Sequence, residues 1–142
     1  MAAKDESYII DLCDRVLGHV GSRQHRFPFL VGDRGTMLPV DAYYAQLNLV
    51  IEYHERQHDE AIKFFDKPER LTCSGVPRSR QREIYDQRRR EFLRAEGIRL
   101  IELKVGLFRH TASKRLKRNL PEDEMVVRRE LAGIVPTTAQ PH

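Results

Sequence analysis

The sequence predicts an α/β sandwich with a mixed sheet, in the element order α-β-β-β-α-β followed by a short C-terminal helix. Three observations carry this reading. An amphipathic segment opens the chain. Three short runs rich in β-branched and aromatic residues follow, separated by turn signals. A long charged segment then passes through a glycine into a further apolar run.

Residues 5–20 read as a helix, because Ile9, Leu12, Cys13, Val16, Leu17 and Val20 recur at i, i+3, i+4 and i+7, with Gly18 and Gly21 marking its end. Strands are expected at about 26–31, 38–44 and 48–54, with turns at Gly32–Gly35 and near Gln46–Asn48. Residues 59–77 contain "DKPE" and "CSGVP" and read as a connection. From Ser79 to Glu96 runs a charged helix whose buried side would hold Ile84, Tyr85, Phe92 and Leu93; it stops at Gly97. "IRLIEL", Ile98 to Leu103, alternates as a fourth strand, and residues 120–131 form a helix with acids in its first turn and arginines near its end. The expected organisation is one domain over 1–133 and a loose tail over 134–142.

The chain has 142 residues, 40% hydrophobic and 32% charged, which suits one ordinary globular core. No run of about 18 apolar residues is present, so no membrane span is expected. Acidic residues precede the first apolar stretch, unlike a secretory signal, and Cys13 and Cys73 make neither a disulfide framework nor a zinc pair. A reducing cytoplasm is the expected setting.

Net charge is +4, but its distribution says more. Arg78, Arg80, Arg82, Arg88, Arg89, Arg90 and Arg94 crowd one segment, and Lys114, Arg115, Lys117 and Arg118 lie in a second cluster over 109–118. Two readings compete: a surface that grips a phosphate backbone, or a solvated face laced with Glu83, Asp86, Glu91 and Glu96. The second cluster has only Phe108 beside it, which fits backbone contact better than base readout. Tyr43, Tyr44 and Tyr85 read as packing residues.

"HERQH", His54 to His58, matches the H-E-x-x-H pattern of zinc proteases. That chemistry would use His54 and His58 as ligands, Glu55 as base and Glu83 as a third ligand, and it requires a helix to put i and i+4 on one face. The preceding "LVIEY" fits a strand instead, and Arg56 would set a cation beside the metal. Phosphodiester hydrolysis offers a competing chemistry built on hard oxygen ligands. A hairpin turning near Gln46–Asn48 would bring Asp41 and Glu52 side by side, and alternation places Val50, Glu52 and His54 on one face. The carbonyl of Tyr53 would be a further ligand.

Pro39-Val-Asp41, Ile51-Glu52-Tyr53-His54-Glu55-Arg56-Gln57-His58, Asp86 and Gly97-Ile98-Arg99-Leu100-Ile101-Glu102-Leu103 follow one another in order. This series resembles the PD-(D/E)XK nuclease superfamily, in particular its very-short-patch-repair (Vsr)-like branch and the related E-D-x-H-D phage homing endonucleases. The resemblance spans Leu38 to Leu103 and implies a restriction-endonuclease-like fold and an Mg²⁺-dependent endonuclease or nickase, with Mn²⁺ able to substitute. It assigns Asp41 and Glu52 to the metal and His58 to general acid/base work or phosphate stabilisation. Asp86 would orient His58 or hold a water, its alternative being a pair with Arg82, Arg89 or Arg90, and Glu6 is the candidate acid of the first helix. His54 stands at the Lys position of D/E-x-K, where an imidazole can orient water, ligate metal or contact phosphate. Duplex DNA is the implied partner, held through Gln57, the arginine-rich helix and the 109–118 cluster. A homodimer or larger host assembly could supply specificity. A DNA-binding module on the same fold that does not cut is the alternative.

Overall fold

The computed structural model describes residues 2–55, 78–113 and 115–134. Helix α1 (Ala2–Leu17) leads into β1 (Ser22–Val31), β2 (Met37–Tyr44) and β3 (Leu49–His54); α2 (Arg78–Ala95), β4 (Arg99–Lys104) and α3 (Leu120–Glu130) follow. The four strands form one mixed sheet in the order β1-β2-β3-β4. β1–β2 and β2–β3 are antiparallel, and β3–β4 are parallel. Parallel neighbours need a crossover, and the chain between β3 and β4 includes α2.

Helices cover both faces of the sheet, and the two hydrophobic clusters separate accordingly. Ile9, Ile10, Leu12, Cys13, Val16 and Leu17 of α1 and Val127 of α3, with Leu131 just beyond it, pack with Ala42, Tyr44, Leu49, Ile51, Tyr53 and Leu103. Leu93 of α2, with Ile98 just beyond it, packs with Phe27, Leu30, Leu38, Val40 and Val50 on the other face. β3 lies between two strands and two helical layers, which is why its apolar run is unbroken until Glu52: Leu49 to Tyr53 are all buried. The buried Cys13 thiol is pushed up to about 12, chiefly by burial, and acts as a small apolar side chain.

Local sequence sets the ends of the elements. Gly97 ends α2 at φ +74°, with the Ile98 amide donating to the Leu93 carbonyl and the Gly97 amide to that of Arg94. This double bond pattern is a Schellman cap, and it delivers Ile98 onto Leu93 at the start of β4. Asn119 caps α3 by accepting from the Glu122 amide. Asn48, at φ 52°, turns the chain from the 3₁₀ turn Ala45–Leu47 into β3; its side chain donates to the Gly97 carbonyl at 2.7 Å. Asp14 ties α1 to the sheet by accepting from Tyr44 Oη, the Gly21 amide and Arg23. Burial alone would raise its carboxyl, but those donors outweigh burial and hold it below the usual range.

The element order matches the sequence expectation, with boundaries displaced by a few residues. Val20, expected on the buried side of the first helix, is 82% exposed. α1 ends at Leu17 and Gly18 takes φ +74°, so the helical period stops before it. The 59–77 connection and the tail after 134 lie outside the described residues. No helix among the described residues is long and apolar enough to cross a membrane.

Candidate functional site

The backbone ladder between β2 and β3 runs from Tyr44↔Leu49 through Tyr43↔Val50 to Ala42↔Ile51 and stops there. The next pair would be Asp41 with Glu52. In place of a ladder bond, Glu52 Oε2 accepts from the Asp41 amide at 2.8 Å, and Asp41 Oδ2 accepts from the Tyr53 amide at 2.7 Å. The strand alternation of β2 breaks at the same point. Val40 faces the α2 layer and Ala42 the α1 layer, although two residues apart on a regular strand share a face. Asp41 sits at this crossover, so its side chain lies at the seam between β2 and β3.

The other neighbour of Asp41 is irregular too. The β1–β2 register pairs Arg23 with Ala42 and His25 with Val40, which sets Gln24 opposite Asp41. Gln24 takes φ 48°, and its amide donates to Glu6 Oε2 at 2.9 Å and also bonds the Asp41 carboxylate. Three carboxylates from α1, β2 and β3 therefore influence one another. Glu52, 7% exposed, is pushed up to about 7 by burial and then by the Asp41 charge. Glu6 is pushed up to about 6, by burial first and the Asp41 charge second. Asp41 itself is raised, by burial, against the Tyr53 amide, His54 and Arg89, which lower it.

A second polar layer stands on the α2 side. His54 Nε2 meets Glu102 Oε1 at 2.9 Å, and Arg90 grips the same carboxylate through Nε at 2.7 Å and Nη2 at 2.9 Å. The His54 and Arg90 bonds hold the Glu102 carboxyl well below the usual range. Burial would lower His54, but the Glu102 bond, Asp86 and Glu52 outweigh it and raise it, so the imidazolium is favoured. Arg89 bonds Asp86 Oδ1 at 3.0 Å and the Pro39 carbonyl at 3.2 Å, with its Nε 4.0 Å from Glu52 Oε1. Asp86 is buried, paired with one of its expected partners and electrostatically coupled to His54.

The fold thus gathers Glu6, Asp41, Glu52, Tyr53, His54 and Asp86 at one end of β3. Gln57, His58 and Lys114 lie outside the described residues, as does the side chain of Arg78. Several of the expected DNA-contacting arginines are engaged within the fold: Arg80 with Glu83, Arg89 with Asp86, Arg90 with Glu102 and Arg118 with Asp5. Arg115 and Lys117 are exposed. Tyr44 is fully buried, and Tyr43 and Tyr85 pack against the α2-side cluster, as expected of packing residues. The helix that H-E-x-x-H chemistry requires is absent at its first residue, because His54 closes β3.

Sequence reasoning missed Gln24 and Glu102. Nothing in "SRQHRF" signals a left-handed glutamine. Glu102 did carry a signal: an acid inside an apolar strand, which the parallel register sets beside Glu52.

Among the described residues, no group of three or more His, Cys, Asp or Glu side chains is arranged to hold a metal ion. The donor set is two carboxylates whose charges repel, and such a pair suits a hard divalent cation that keeps several waters. Compared with family models, curated proteins and solved structures, the chain finds no match.

Proposed function

We propose that the chain is an Mg²⁺-dependent DNA endonuclease or nickase with a restriction-endonuclease-like core, related to the Vsr-like branch of the PD-(D/E)XK nucleases. One observation carries the reading: Asp41 and Glu52 meet where the β2–β3 ladder ends, each fixed by the other strand's backbone, with the Glu52 carboxyl raised to about 7. The order α1-β1-β2-β3-α2-β4 supports the same core.

In this reading Asp41 and Glu52 hold the cation, with the Tyr53 carbonyl as a further oxygen donor. Mg²⁺, or Mn²⁺ in its place, supplies Lewis-acid polarisation of the scissile phosphate and lowers the pKa of an attacking water. Glu6, raised to about 6, exchanges a proton near neutral pH and can accept one at the edge of the site. The bond to Glu102 favours the protonated form of His54, and that form offsets the negative charge of the carboxylates at the Lys position of the pattern. Arg115 and Lys117 offer exposed positive charge to a duplex backbone.

The alternative, a DNA-binding module that does not cut, is favoured by one detail. His54 donates to Glu102, so the group at the Lys position is engaged away from the carboxylate pair. A supercoiled-plasmid nicking assay in Mg²⁺ or Mn²⁺ separates the readings. The nuclease predicts nicking that EDTA abolishes and that Asp41→Ala and Glu52→Ala each reduce at least a hundredfold. Duplex binding without cleavage supports the binding module. Zinc-dependent casein hydrolysis lost in Glu55→Ala would overturn both.

A further inference from the structure

α2 carries a ladder of side chains along one face. Leu93 packs with Val50, Arg89 reaches Glu52 and the Pro39 carbonyl, and Asp86 couples to His54. The ladder descends α2 in steps of three and four residues while it climbs β3 in steps of two, so the helix runs antiparallel to the strand. The next rung is Arg82, one turn before Asp86. Extending the ladder along the helix carries this rung past His54, toward the carboxyl end of β3, the end of a parallel strand pair at which open α/β sheets bind ligands.

The arginines around Arg82 have anionic partners. Arg80 pairs with Glu83 at 3.0 Å, Arg88 with Asp33 at 3.1 Å, Arg89 with Asp86 at 3.0 Å and Arg90 with Glu102 at 2.7 Å. Arg82 differs. Its Nη1 is buried and has no hydrogen-bond acceptor among the described residues. Buried guanidinium donors are normally satisfied, and their preferred acceptors are carboxylate and phosphate oxygens. Of the carboxylates on this face, Glu102 is gripped by Arg90, and Asp86 gives Oδ1 to Arg89 while its buried Oδ2 makes no hydrogen bond to Arg82.

We propose that Arg82 is the phosphate-binding residue of the site, its guanidinium donating to a non-bridging oxygen of a DNA backbone phosphate beside the Asp41–Glu52 pair. The inference rests on the duplex-DNA reading above and assigns the backbone contact to one arginine rather than to the whole basic helix. Arg88, Arg89 and Arg90 tie α2 to Val31, Pro39 and Glu102, and Arg80 pairs within the helix; Arg82 supplies the charge left for the substrate.

The test is fluorescence anisotropy of a labelled duplex at several salt concentrations, with EDTA present to prevent cleavage. Arg82→Met keeps the aliphatic stem and removes the donors. It is expected to weaken binding about tenfold and to reduce the salt slope by about one. Arg82→Lys keeps the slope and recovers part of the affinity, and Arg94→Met, on an exposed position of the same helix, changes affinity less than about twofold. The melting temperature of Arg82→Met stays level or rises, because the lost donor had no acceptor. Unchanged affinity and slope in Arg82→Met, with a wild type that binds duplex, overturn the Arg82 assignment and leave the nuclease reading standing. A wild type that does not bind duplex overturns both. A lowered melting temperature with equal losses in the Met and Lys variants assigns Arg82 to the fold and overturns the proposal.

Discussion

Glu52 and Asp41 each complete the other's strand: the Glu52 carboxylate accepts the Asp41 amide at 2.8 Å, and the Asp41 carboxylate accepts the Tyr53 amide at 2.7 Å. Two acids thereby replace two rungs of a sheet ladder. The arrangement satisfies the backbone but sets like charges together in a buried seam, which a fold selected for stability alone has no reason to keep.

Glu52→Gln should therefore stabilise the protein while abolishing metal-dependent activity. The amide oxygen still accepts the Asp41 amide, and the repulsion with Asp41 disappears. The weaker attraction of Arg89, 4.0 Å away, is lost as well. A net gain of about 1–2 kcal/mol at pH 8 is expected. Urea unfolding in EDTA measures it; a destabilised variant would show that the Glu52 charge is held by favourable partners.

Stability should fall as pH rises from about 4.5 to about 7. The folded protein holds a proton on Glu52 up to about 7 and on Glu6 up to about 6, where the unfolded chain has already released both. The unfolded state then binds fewer protons, so unfolding free energy decreases with pH across this window, and the raised His54 carries the decline on above 6.5. Below about 4.5 the lowered carboxyls of Asp14 and Glu102 act in the opposite sense, which places the maximum near pH 4.5. Urea midpoints from pH 4 to 8 without divalent metal test this, and Glu52→Gln should flatten the upper limb.

Glu102→Gln should cost about 1–3 kcal/mol, because it removes the two-pronged grip on Arg90 and the bond to His54 together. The His54 pKa should fall at the same time, since the Glu102 bond is the largest influence raising it. An NMR titration of the His54 ring reads this directly. An unshifted titration would mean that Asp86 and Glu52 suffice to hold the imidazolium.

The element order was legible because each segment carries its own period: 3.6 in α1, near-continuous apolarity in β3 and a glycine stop at Gly97. Asp41 and Glu52 were legible as neighbours because the Asn48 turn fixes their hairpin register. Val20 was misplaced because the helical period was carried past a left-handed Gly18. The partners of the site were hidden for a different reason. Glu102 reaches His54 across 48 positions and Arg89 reaches Pro39 across 50, so these pairings exist only once β4 and α2 have docked. Gln24 depends on a left-handed backbone that its residue type does not announce.

The most direct measurement is calorimetric titration of the protein with Mn²⁺ at pH 6.5, repeated in buffers of different ionisation enthalpy to count protons released. At that pH Glu52 is largely protonated, so a cation seated on Asp41 and Glu52 must displace its proton. The account predicts one Mn²⁺ site, net proton release that fades by pH 8.5, and loss of binding in Asp41→Ala. Absence of Mn²⁺ binding at millimolar concentration, or binding unchanged by Asp41→Ala and Glu52→Gln, would contradict it.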